Sequence, residues 1–87
     1  MEGNRSTYFL QADEIDHLTI RYTDFGEKLN KKKAVEMIHF YNDVYSAVSD
    51  ELKAYDLSFE ALDRYSEKEL YNLLVIIRTA LLEMTGI

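Results

Sequence analysis

Apolar positions along the chain fall mostly into helical spacing, and they are densest at the C-terminal end. Between Ser66 and Ile87 the residues Leu70, Leu73, Leu74, Ile77, Leu81 and Met84 recur three or four apart, or adjacent, and so share one helix face. Ser66 and Glu69 have the spacing of a capping box, and Tyr65 and Leu70 that of a hydrophobic staple. At the far end Gly86, with Ile87 folding back on Leu82, predicts a Schellman stop. A second apolar ridge, Tyr71, Val75 and Leu82 with Arg78 among them, lies beside the core face, and Ile76 flanks the other side. Only Lys68, Asn72, Thr79 and Glu83 leave a narrow polar strip. A helix apolar around most of its circumference is buried on most sides, so this helix is the predicted centre of the fold.

Upstream, residues 31–55 predict a second long helix. Ala34, Met37, Ile38, Tyr41, Val44, Tyr45, Val48, Leu52 and Tyr55 share its apolar face, with Glu36, His39, Asp43, Ser46 and Asp50 opposite. Residues 56–65 read as a connector with a short helix of its own, capped by Ser58 and stapled by Leu57 and Leu62. Residues 12–29 show Ile15, Leu18, Tyr22, Phe25 and Leu29 at alternating three- and four-residue spacing, a helical stripe with Asp13 placed to cap it. The same region has a strand-like alternation over Leu18–Thr23 that could pair with residues 7–11, making a β-hairpin over residues 7–23 the alternative. The helical pattern matches more positions, and an isolated two-stranded hairpin is weakly stable. Gly26 or Asn30 is the expected break after this helix, with Asn30 placed to cap the next. Residues 1–11 read as an arm that docks through Tyr8, Phe9 and Leu10. The predicted class is all-α: one domain over residues 1–87, three main helices plus one short connecting helix.

Composition narrows the function classes. Sixteen acidic residues against ten basic ones give a net charge of −6, which disfavours direct binding of nucleic acid or of an anionic membrane. The only basic run, Lys28 with Lys31, Lys32 and Lys33, reads as a solvated turn. Without cysteine the chain has no disulfides and no thiolate metal sites. Small domains have little surface to bury and usually lean on a metal, a disulfide or a partner chain. No stretch has the length and apolarity of a membrane span, and residues 1–14 lack the pattern of a signal peptide, so a cytoplasmic location is expected.

Candidate chemistry is sparse. There is no glycine-rich phosphate loop and no nucleophile elbow, and an enzyme is not expected. The two histidines each follow a glutamate by three, in Glu14-Ile15-Asp16-His17 and Glu36-Met37-Ile38-His39. That spacing resembles half of the di-iron site of ferritin-like bundles, in which two Glu-x-x-His pairs and two further glutamates point into the core. The resemblance implies an oligomeric carboxylate–histidine metal protein as an alternative. The leading expectation is two surface histidines, no metal and no cofactor. Asp43, Asp50, Glu51, Asp56, Glu60, Asp63, Glu67 and Glu69 make the second half of the chain acidic, suited to a basic protein partner. Arg78, set among apolar residues, needs a carboxylate or a route to water. A homo-oligomer is expected, with the ridge of Tyr71, Val75, Arg78 and Leu82 as the interface to a second copy or to a partner protein, and Arg78 paired across it. The expected function is a small acidic helical module that binds and inhibits or regulates another protein, of the phage- or plasmid-accessory, immunity or antitoxin type. A structural subunit of a larger assembly is a further alternative.

Overall fold

A computed structural model describes the backbone of residues 2–85 and the side chains of residues 13–84. It contains five helices: α1 (Glu2–Asp24), α2 (Lys31–Val44), α3 (Ser46–Leu52), α4 (Phe59–Arg64) and α5 (Glu67–Thr85). No strand occurs among the described residues, and Leu18–Thr23 is helical, so the hairpin alternative does not form. The expected docking of Tyr8, Phe9 and Leu10 lies outside the described side chains. The expected stop at Gly86 and Ile87 is outside the described residues altogether.

The start of α1 differs from the sequence reading. The helix begins at Glu2, so Asp13 lies inside it and caps nothing. Residues 4–12 contain neither proline nor glycine, so no backbone breaker separates an arm from the helix. The end also comes earlier than Leu29. Thr19 and Thr23 turn their hydroxyls back onto the carbonyls of Ile15 and Thr19, each at 3.0 Å, and Gly26 then takes the left-handed conformation at φ 66°. Leu29 is buried from the loop, where its N–H donates to Glu67 Oε1 at 2.6 Å.

A second difference is the break between α2 and α3. Residues 31–55 do not form one helix: Tyr45 is extended at φ −114°, ψ 114°. No glycine or proline marks this position. The run Phe40-Tyr41-Asn42-Asp43-Val44-Tyr45 consists of residues of middling to poor helix propensity, so packing decides. The break re-aims α3, letting α2 and α3 each pack on α5 while also touching one another.

The caps expected at Asn30, Ser58 and Ser66 form. Asn30 Oδ1 accepts from Lys33 N–H at 3.0 Å and Ser58 Oγ from Ala61 N–H at 3.2 Å. The capping box of α5 is reciprocal: Ser66 N–H donates to Glu69 Oε1 at 3.0 Å, and Glu69 N–H to Ser66 Oγ at 3.2 Å. Both staple leucines, Leu62 and Leu70, are fully buried, with Leu57 and Tyr65 packed against the same core. That core gathers Ile15, Ile38, Val48, Leu52, Leu73, Leu74, Ile77 and Leu81 around α5, which touches α1, α2 and α3. None of the helices is long and apolar enough to cross a membrane, among the described residues.

Candidate functional site

Packing on α5 leaves an open groove between α1 and α2. Its α2 wall is Lys33, Glu36, Met37, Phe40 and Tyr41, the i, i+3, i+4, i+7, i+8 positions that share one helix face. Its α1 wall is Asp13, Glu14, His17, Leu18 and Arg21. Leu18, Met37 and Phe40 give the groove an apolar middle. Met37 is buried, Leu18 half-buried, and Phe40 remains 49% exposed. The α1 end of the groove holds about 640 Å³ of open space, room for several side chains of another molecule.

Charge is unevenly spread along these walls. Asp13, Glu14 and Glu36 are exposed carboxylates. Arg21 is drawn out of the balance by Glu27, whose Oε2 lies 3.2 Å from its Nε. Lys33 and His17 are what remain on the basic side. The negative field reaches the groove floor: burial first, and then the charge of Glu14 and the neighbouring Tyr45, push the Tyr41 phenol up to about 12.

The two Glu-x-x-His pairs are not brought together. Glu14, His17 and Glu36 line the groove, but His39 turns to the other side of α2. There its Nε2 lies 2.7 Å from the Leu57 carbonyl, and its ring meets Phe59 edge-on at 4.3 Å. Among the described residues no group of three or more metal-ligating side chains converges. His39 ties α2 to the connector that precedes α4.

The ridge of α5 is largely met by α1. The Tyr71 ring lies 5.6 Å from that of Tyr22, and Arg78 Nε pairs with Asp16 Oδ1. The carboxylate expected for Arg78 is therefore supplied by the same chain. Leu82 is half-buried, and Val75, 41% exposed, points outward.

Three of the acidic residues have local tasks. Glu67 holds Leu29 N–H, Glu69 closes the capping box, and Asp56 accepts the Ser58 N–H at 3.0 Å, which holds its carboxyl below the usual range. Asp43, Asp50, Glu51, Glu60 and Asp63 stay exposed.

The groove was not legible as a site in the sequence, but one signal pointed to it. Phe40 belongs to neither the apolar nor the polar face of α2 as the pattern defines them; in the structure its ring meets that of Tyr41 edge-on at 5.3 Å and it stays 49% exposed. No protein family, curated protein or solved structure matches this chain.

Proposed function

We propose that the chain is an acidic helical module that binds another protein and so inhibits or regulates it, in the manner of a small accessory, immunity or antitoxin protein. The observation that carries this reading is the α1–α2 groove. Two helix faces flank it, Leu18, Met37 and the half-exposed Phe40 make its middle apolar, and with Arg21 paired to Glu27 the carboxylates of Asp13, Glu14 and Glu36 outnumber Lys33 on its rim. Grooves of this form suit a protein segment: apolar contact in the centre supplies affinity, and charge on the rim supplies orientation and partner choice.

Affinity capture from the source cell tests this reading. The wild-type chain and a Phe40→Asp variant serve as baits, and the captured protein's own activity is then measured with and without added chain. The expected result is one protein retained by the wild type, lost with Phe40→Asp, whose activity changes when the chain is added. Recovery of no specific protein, or of one whose activity is indifferent to the chain, contradicts the reading.

A further inference from the structure

The walls of the groove restrict what can lie in it. Both are α-helices, whose main-chain N–H and C=O groups are satisfied within the helix. An extended segment would find no sheet edge there and would gain none of the main-chain bonds that drive strand addition. A helix needs no such bonds, because its own are internal. Its apolar residues at i, i+3, i+4 and i+7 match the stripe formed by Leu18, Met37 and Phe40. With α5 beneath α1 and α2, such a helix would complete a four-helix arrangement around the groove.

Charge then selects among helices. Glu14 lies close enough to Tyr41 to raise its pKa, so it faces the Phe40–Tyr41 part of α2, along with Glu36. Arg21 lies two helical turns further along α1 and is paired to Glu27. Lys33 lines the same stretch, but against the three carboxylates of Asp13, Glu14 and Glu36 it leaves that part of the rim net negative, and the net charge of −6 adds a long-range attraction for a basic partner. Resting on the protein-binding reading above, we propose that the groove takes a single amphipathic helix of the partner, with basic residues flanking its apolar face where it lies over Asp13, Glu14 and Glu36. The same rim repels an acidic helix and the phosphates of a nucleic acid.

Synthetic peptides test this directly against the full chain. One carries leucines at i, i+3, i+4 and i+7 flanked by lysines; the second has the lysines replaced by glutamates; the third has the composition of the first with its leucine stripe shuffled. Binding is followed by fluorescence anisotropy on the wild type, on Phe40→Asp and on the double variant Glu14→Lys with Glu36→Lys. All three substituted side chains are exposed, and circular dichroism melts check that each variant is folded. The lysine peptide is expected to bind the wild type about tenfold or more tightly than the glutamate peptide, and more weakly as salt is raised. The shuffled peptide and Phe40→Asp should each abolish most of the binding, and the double variant should reverse the charge preference. Equal binding of the shuffled peptide, an unchanged preference in the double variant, or no binding by any peptide would overturn the inference. If a protein captured from cells binds the wild type and all these variants alike, the protein-binding reading stands and the groove assignment falls.

Discussion

Glu67 illustrates how much one side chain can organise. It occupies the first turn of α5, where a carboxylate is favoured by the helix dipole, and it reaches back to the N–H of Leu29 at 2.6 Å. That bond ties the loop between α1 and α2 to the first turn of α5. Hydrogen bonds to charged groups contribute roughly 1.5–3 kcal/mol when partly shielded, so Glu67→Ala should lower unfolding free energy by about 1–2 kcal/mol in urea titrations. Glu67→Gln keeps an acceptor and should recover part of the loss. Equal destabilisation by both would show that the charge, rather than the bond to Leu29, is what matters. Tyr41 gives a second test. Its phenol rises from 10.0 to about 12 in the folded chain, so between these values the unfolded chain has lost this proton and the folded chain has kept it. Stability is therefore fully present below pH 10 and declines as pH rises towards about 12. Tyr41→Phe should remove that part of the decline, seen as a wild-type-minus-variant difference in melting temperature that shrinks as alkali is added. A constant difference across pH 8–12 would contradict the assignment.

Among the elements, those with a chemical stop or start were readable in advance and those decided by packing were not. α5, with Ser66, Glu69 and its stripe of leucines, and α4, with Ser58 and its staple, follow from residues within a few positions of each other. The exit from α1 was readable at Gly26, whose positive φ few other residues tolerate. A Cβ placed there meets nothing within 4 Å, so the cost of Gly26→Ala is purely one of backbone conformation. We expect a loss of about 1 kcal/mol by thermal melts, with Gly26→Asn losing less because asparagine enters the left-handed region more readily. A neutral Gly26→Ala would mean the loop has a second conformation. The break at Tyr45 has no comparable local sign. It arises because α2 and α3 must both reach α5, and weak helix formers around Tyr45 let that demand prevail. The groove was hidden for a similar reason: it depends on where α1 lies relative to α2, which no residue pattern within either helix states.

At the scale of the whole molecule, the Cα trace measures 38 × 29 × 16 Å. Two packed helix layers, about 8–10 Å between axes plus a Cα radius of about 2.3 Å on each side, give about 13–15 Å, most of the thinnest dimension. Such a flat body has much surface for its volume, which is where Phe40 and Val75 emerge. The α5 ridge offers less to a second copy than its sequence suggested, because Tyr22 and Asp16 of α1 already meet Tyr71 and Arg78. Light scattering on the free chain should accordingly give a monomer. A dimer that Val75→Asp with Leu82→Asp converts into a folded monomer would instead make the ridge an interface between copies. The central claim, that the chain works by holding a partner in the α1–α2 groove, is tested most directly by placing a photo-crosslinking amino acid at position 40 and, as a control, at the exposed position 55. Irradiation in the source cell is expected to link one partner protein to position 40 and not to position 55, through a helical segment of that partner. Crosslinking that is absent at position 40, or equal at both positions, would contradict it.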